Sequence, residues 1–397
     1  MRIAVVGGGP SGLYFALLAS ARFPRAAIEV HEQNPRGATY GFGIVLADRG
    51  LSRLEQAHPE TCAAILASSY AARHRVITHR GDAVFVERKG YGGAIARLRL
   101  LEILDEACVR AGVDLRYGGR VADLGAFDGY DLVVGADGVN SVVRDAREAA
   151  FGTTRWWLTN RMAWYGTTQH FPYPVLNFKT VEGGHFWCAA YPYTERMSTF
   201  VAECDADAWT RAGLDRMDDE QRRRFAEGVF ARELDGHPLI SNASSWRVLP
   251  VIRNRHWFAG RHVLIGDALH SAHPTIGSGT RIAMEDAIDL AECLKAHEND
   301  FDAGLAAFER TRAPSKQKLV DAAEKSFTWY EGVAQKMDAL EPAAFVFDFM
   351  TRTGRIDEAR LLQEFPRFMG RYQREWAAFK KARVVDSPLP RAGEGRG

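Results

Sequence analysis

"RIAVVGGGPSGLYFALLASA", residues 2–21, decides the fold of this chain. Ile3 to Val6 are β-branched and small apolar residues, the composition of a buried strand, and Gly7 ends the run. Pro10 and Ser11 stand where a helix starts, and Leu13 to Ala21 continue it. The next apolar segment, "AAIEVHEQN" (26–34), reads as a second short strand that carries Glu32 near its end. Strand, turn, helix and strand in this order make a βαβ unit, because parallel strands need a crossover. Gly7, Gly9 and Gly12 satisfy G-x-G-x-x-G: a tight turn, a close approach of backbone to a pyrophosphate, and close packing of helix on strand. Ser11 lies in the first helical turn, whose amides face an anion. Glu32 follows Gly12 by 20 residues, the spacing at which a carboxylate meets ribose hydroxyls. A purely structural glycine turn is the plain alternative, and the strand, helix and acid around it argue for a bound dinucleotide.

Two later stretches repeat the pattern of buried strand and Gly-rich turn. "DLVVGADGVNSVVR" (131–144) places Asp137 and Gly138 after its strand, and "GDALHSAHPTIGSGTRIAMEDA" (266–287) places Gly266 and Asp267 after "HVLI". Taken singly, each is equally a strand-to-helix turn with a capping Asp. Together, downstream of one βαβ unit, they are far more informative than either alone.

Between about residues 155 and 250 the texture changes. "RMAWYGTTQHF", "VLNFKTV", "HFWCAAYPY" and "MSTFVAEC" alternate and are rich in β-branched and aromatic residues, as antiparallel strands are. The expected class is α/β: a Rossmann-type parallel sheet with crossover helices, a mixed or antiparallel substrate sheet, and a C-terminal helical region. The dinucleotide domain is expected on 1–70, 98–154 and 258–310, the substrate domain on 71–97 and 155–257, helices on 311–380, and a disordered tail on 385–397.

Composition limits the partners. The 51 Lys and Arg nearly balance 50 Asp and Glu, so no basic footprint points to nucleic acid or an anionic membrane. Five scattered cysteines show no CxxC pair or metal-like spacing, and the chain opens on a core strand, so a reducing cytoplasm, no structural disulfide and no metal are expected. No apolar run approaches the roughly 18 residues of a membrane span.

The three turns together resemble the single-component, FAD-dependent aromatic hydroxylases of the p-hydroxybenzoate hydroxylase type, from Met1 to about Tyr372. That resemblance implies FAD, with NADH or NADPH as co-substrate, O₂, and hydroxylation of an aromatic ring through a flavin C4a-hydroperoxide. It implies that Gly7, Gly9, Gly12 and Glu32 hold the ADP half, and that Arg97, in "RLRLLEIL", lies near the cofactor. Asp137 and Gly138 match the family's DG motif, Gly266 and Asp267 its GD motif, and Pro274, Gly277 and Gly279 its P-x-x-G-x-G beside the reacting ring. Thr280 and Ser278 are expected to support that loop, with Thr280 counted among the cofactor-binding residues. "RMAWYGTTQHF", "WTRAGLDRMDDE" and "IGSGTRIAMEDA" are similar to the aryl-CoA hydroxylases, which implies a CoA thioester such as salicylyl-CoA as substrate and a monomer or homodimer. Pro274 and Ala189 stand where that subgroup tends to have Phe and His. An indole or free phenolic acid is the alternative substrate, and a reductase without oxygenase activity the less favoured reading.

Such chemistry needs a dry, enclosed site, because the protein's task is to orient the ring and exclude water. Trp164, Tyr165, Phe178, Phe186, Trp187, Tyr191 and Tyr193 are candidates for an aromatic wall, with sheet core as the plain alternative. His270 and His273 flank the flavin loop, and with Pro274 they are the catalytic candidates; His170 and His185 are weaker ones. Cations for CoA phosphates are offered by Arg73, Arg75, Arg88, Lys89, Arg161, Arg253 and Arg255.

Overall fold

The computed structural model describes residues 1–47, 51–72, 74–87, 92–298 and 300–386. Strand Arg2–Val6 lies at the centre of a six-stranded sheet, flanked by Ala27–Glu32 and Leu132–Gly135. His262–Leu264 and Asp114–Tyr117 extend it on either side; these pairings are parallel, and only Phe258–Ala259 pairs antiparallel at one edge. Helix Pro10–Arg22 crosses over between the first two strands, and its residues from Ser11 to Ala19 are all buried. Helix Gly279–Ala296 packs beside it, and the core between them holds Ile3, Val5, Phe15, Leu264 and Leu290 at zero exposure. The three glycine-bearing turns therefore leave the carboxyl ends of neighbouring strands, where open α/β sheets bind ligands.

The second sheet has eight strands, with Thr153–Thr167 paired to Ser198–Cys204, then Gly184–Pro192 and Val175–Val181. Val175–Val181 pairs in parallel with His74–His79, which turns back to Asp82–Glu87. Period-2 alternation gives this sheet two apolar faces. Tyr165, Phe186, Cys188 and Phe200 pack beneath helices Ala206–Arg211 and Asp219–Val229, the latter started by a capping box of Asp218 and Gln221. Phe178 and Trp187 on the opposite face pack against Trp329, Tyr330, Phe345 and Phe349 of the C-terminal helices.

Two details differ from expectation. Gly92–Ala96, expected in the substrate domain, pairs antiparallel with Gly43–Ala47 and Tyr70–Ala71 in a separate three-stranded sheet, and not with the strand nearest to it in sequence, Asp82–Glu87 of the eight-stranded sheet. One helix, Phe301–Glu331, runs straight through the boundary expected at 310, with Pro314 inside it. Residues 385–386 of the expected tail end helix Pro366–Asp386, and the rest of the tail lies outside the described residues, as do Arg73, Arg88 and Lys89. All five cysteines are free, and among the described residues no helix is long and apolar enough to cross a membrane.

Candidate active site

One cavity of about 730 Å³ is bordered at once by all three turns: by Gly9 to Ser11, by Gly138, and by Asp267 with residues 271–280. Gly7 lies behind it with φ +108°, and a Cβ there would come within 2.5 Å of the Ala136 carbonyl oxygen. The first turn is thereby pressed onto the end of the Leu132–Gly135 strand. Helix Pro10–Arg22 begins without a side-chain cap, so its first amides stay free for an anion. The Glu32 carboxylate is held in place by N–H donors from Gly8 and Asn34, both at 2.8 Å, and keeps lone pairs for further donors.

Asp137 accepts a hydrogen bond from the Val142 amide at 2.7 Å, while its other oxygen is buried with no partner among the described residues. Burial raises its pKa. Asp267 accepts from the Ala272 amide at 3.1 Å and borders the cavity; desolvation by the surrounding protein raises its pKa, against the pull of Lys316 and Arg97. Arg97 donates to Thr39 Oγ1 at 3.1 Å and makes no ion pair among the described residues. Desolvation lowers its pKa, opposed by the fields of Asp267 and Glu32. An uncapped helix start, an unpaired cation and two carboxyls in unsatisfied or cavity-facing positions suit a ligand with a phosphate end and a polyhydroxyl chain.

Pro274 and Gly277 border the cavity on the loop before helix Gly279–Ala296, and Gly279 and Thr280 border it from the helix's first turn. His273 borders it too, with Nδ1 2.9 Å from Thr275 Oγ1. Burial holds the His273 pKa down at about 4, so the imidazole is neutral near pH 7. His270 is not on the cavity. It packs edge-on to Trp257 at 5.5 Å between ring centroids, and burial followed by the Lys316 and Arg253 charges keeps it neutral. Its expected catalytic position is corrected: the turn that aims Asp267 outward sends His270 into the core.

The aromatic wall divides by strand alternation. Trp164 and Tyr191 border the cavity, and the Tyr191 hydroxyl donates to the Gly43 carbonyl at 2.9 Å. Tyr165 and Phe186 point to the far face, where Tyr165 Oη accepts from Trp246 Nε1 at 3.0 Å. Trp187 and Phe178 lie on the near face but beneath the C-terminal helices. These four are core residues, not wall. His185 lies off the cavity between Asp205 and Asp338. Of the described cations offered for phosphates, only Arg75 borders the cavity; Arg161 lies over Trp209 and Arg253 over Trp156.

Sequence reasoning missed several cavity residues. Glu203 is an acid on a buried strand, a signal that was legible in "STFVAEC". Tyr330, Phe349 and Arg352 come from helices whose sequence carries no motif. Arg352 donates to Ser326 Oγ at 3.0 Å, to the Phe349 carbonyl at 2.7 Å and to the Thr275 carbonyl at 2.9 Å, and stacks 3.9 Å over the Phe349 ring. No carboxylate pairs with it among the described residues, and desolvation lowers its pKa.

The geometry can be set beside known proteins. A family profile described as "FAD binding domain" matches residues 103–323. The chain is 34% identical to a salicyloyl-CoA 5-hydroxylase from a Streptomyces species, over 98% of this chain and 76% of that one. It is 35% identical to 3-hydroxy-4-methyl-anthranilyl-[aryl-carrier protein] 5-monooxygenase from Streptosporangium sibiricum, over 92% of this chain and 97% of that one. Among solved structures, a tetrameric 2-methyl-3-hydroxypyridine-5-carboxylic acid oxygenase shares the fold, with a TM-score of 0.67 at 20% identity over 90% and 97% of the two chains.

Proposed function

The chain belongs to the FAD-dependent aromatic hydroxylases, and from that premise we propose that it uses NADH or NADPH and O₂ to hydroxylate the ring of an aryl-CoA thioester such as salicylyl-CoA. What carries the proposal is the cavity: dinucleotide turns on one side and, on the other, a sheet face offering Trp164, Leu176, Ala189 and Val201 to a flat apolar ligand. The two relatives favour a carried aryl group, since both are named for one, on CoA or on a carrier protein.

FAD fits the residues present. Gly9, the free amides of the first helix and Arg97 would hold its pyrophosphate, Glu32 its ribose, Asp267 its ribityl chain, and the 274–280 loop its ring. Asp137 and Gly138 would lie between these two halves. When bound, FAD supplies the electron transfer from NAD(P)H and the activation of O₂. The protein supplies the rest. Trp164 and Tyr191 shape a slot for the ring, and the Pro274–Ile276 turn fixes the distance to it. His273, neutral near pH 7 and tied to Thr275, holds that loop without adding a charge. The helices carrying Phe327, Tyr330 and Phe349 exclude water.

The test is turnover by the FAD-loaded protein, with product identified by mass. Salicylyl-CoA is expected to accelerate NAD(P)H oxidation at least about 10-fold over salicylate, with one oxygen atom added to the thioester. Hydroxylation of the free acid alone would overturn the thioester reading. A free phenolic acid is the second reading, favoured by one observation: Arg352 is a half-buried cation beside the cavity with no carboxylate partner among the described residues.

A further inference from the structure

We propose that Glu203 recognises the electron-donating substituent of the aromatic ring, a hydroxyl or amino group, by hydrogen bonding directly to it. The inference rests on the aromatic-substrate reading above, but not on whether the substrate is a thioester or a free acid.

Glu203 sits on strand Ser198–Cys204, whose seven residues are all buried, and is itself 6% exposed. A carboxyl in such a place is ordinarily paired. Glu203 makes no ion pair and no hydrogen bond of good geometry among the described residues; the indole N–H of Trp187, opposite it in the strand register, is likewise without an acceptor of good geometry. The fold thus carries the cost of burying this acid and takes no ion pair from it.

What the acid does have is a place on two cavities. It borders the large one, on the same sheet face as Val201 two residues earlier and Trp164 across the strand pair. It also borders a cavity of about 10 Å³ shared with His273, Tyr330 and Asn160. Around it the sheet offers a ring apolar surface from Trp164, Leu176, Ala189 and Val201, and the sheet's Arg75 and Arg247 also border the cavity but are donors only. Arg352 already spends donors on Ser326, Phe349 and Thr275. Glu203 is the carboxyl with capacity to spare on that face.

Its protonation state selects the chemistry it reads. Burial pushes the pKa up to about 8, and the Trp187 indole only partly restrains the rise, so Glu203 is uncharged near pH 7. A neutral carboxyl has one O–H donor and acceptor capacity on its carbonyl oxygen. That pair matches a phenolic hydroxyl or aromatic amine, each both donor and acceptor, and gives nothing to a bare C–H. The substituent so held is the one that makes a ring electron-rich enough to be hydroxylated, which ties recognition to reactivity.

The test uses the FAD-loaded enzyme and flavin spectral shifts on titration with two ligand pairs, salicylyl-CoA against benzoyl-CoA and salicylate against benzoate. Within whichever pair binds, the wild type is expected to prefer the hydroxylated ring by about 10- to 100-fold, the range for a buried hydrogen bond to a substrate hydroxyl. Glu203→Leu is expected to erase the preference by weakening the hydroxylated ligand and leaving the unsubstituted one unchanged. Glu203→Gln, still donor and acceptor, is expected to keep most of it. A Glu203→Leu enzyme that retains the wild-type ratio overturns the proposal. Should that variant lose its flavin, Glu203→Gln and Glu203→Ala in the same titration decide, and equal ratios in both overturn it. Binding by only the free-acid pair removes the thioester reading and leaves the Glu203 comparison intact.

Discussion

At the scale of single residues, the glycine motif separates into folding and binding positions. A Cβ on Gly12 would collide with the Gly7 carbonyl oxygen, which is backbone and cannot swing away, whereas a Cβ on Gly9 meets nothing within 4 Å. Gly9 has φ −75°, open to any residue. Gly12→Ala is therefore expected to cost about 3 kcal/mol or more of stability and yield little folded protein. Gly9→Ala is expected to keep the thermal midpoint of the flavin-free protein and weaken FAD retention at least about 10-fold, read as 450 nm absorbance per chain after dialysis. A second residue-scale expectation concerns pH. Glu203 holds its proton up to about pH 8 in the folded state against an ordinary 4.5, so its contribution to stability, full below pH 4.5, is lost as pH rises toward 8. His273 runs oppositely: its contribution, full above pH 6.5, is lost as pH falls toward 4. Between pH 6.5 and 8 only the first of these two slopes remains, on the order of 1 kcal/mol per pH unit. Thermal midpoints of Glu203→Gln should fall less steeply than wild type across that window; parallel curves would refute this.

At the scale of elements, the GD turn is held by a buried charge network between two helices. Asp286 on helix Gly279–Ala296 accepts from the Gly266 amide at 3.1 Å, from Arg312 Nε at 3.0 Å, and from Lys316. Arg312 also donates to Glu285 at 3.0 Å, and both cations belong to helix Phe301–Glu331. Asp286→Asn would leave two buried cations short of one counter-charge and is expected to cost about 3–5 kcal/mol, measurable by denaturant unfolding. The double change Asp286→Asn with Lys316→Met should recover part of that loss. None of this network was legible: a helix rich in acids at 285, 286 and 289 looks like a solvated face, and only the packing of its partner helix shows that it is interior. The turns were legible for the opposite reason. Gly7, Asp137 and Asp267 each follow a short buried strand, and a strand-end glycine or acid has few structural uses. The aromatic strands were legible as strands but not as a wall, since period-2 alternation leaves open which face meets the cavity. Trp164 and Tyr165 are neighbours in sequence and lie on opposite sides of the sheet.

At the scale of the whole molecule, the C-terminal helices turn two separate sheets into one enclosed site. Phe345, Phe349 and Tyr330 pack on Phe178 and Trp187 of the substrate sheet, while Arg352 reaches the loop that follows the dinucleotide sheet. Its bond to the Thr275 carbonyl, with Ser326 Oγ donating to Thr275 Oγ1 at 2.9 Å, ties helix and loop at the point where a substrate ring would lie. This tie is a long-range one between residues 275 and 352, so no local pattern announces it. Its chemical consequence follows from the need to keep water from the reacting groups. Arg352→Met keeps much of the side-chain volume over Phe349 but removes the donors to Ser326, Phe349 and Thr275. FAD content is expected to stay near one per chain, because the residues assigned to its pyrophosphate, ribose and ribityl chain make no hydrogen bond with Arg352 among the described residues and only the ring loop loses a tie. Oxidation of NAD(P)H with aryl substrate is expected to continue while the fraction ending in hydroxylated product falls at least about 3-fold, the balance appearing as hydrogen peroxide. Arg352→Lys, which restores one donor but not the fork, should fall between the two. Measured coupling in Arg352→Met equal to wild type would mean that the loop holds its position without the helix, and that the substrate site is closed by the two sheets alone.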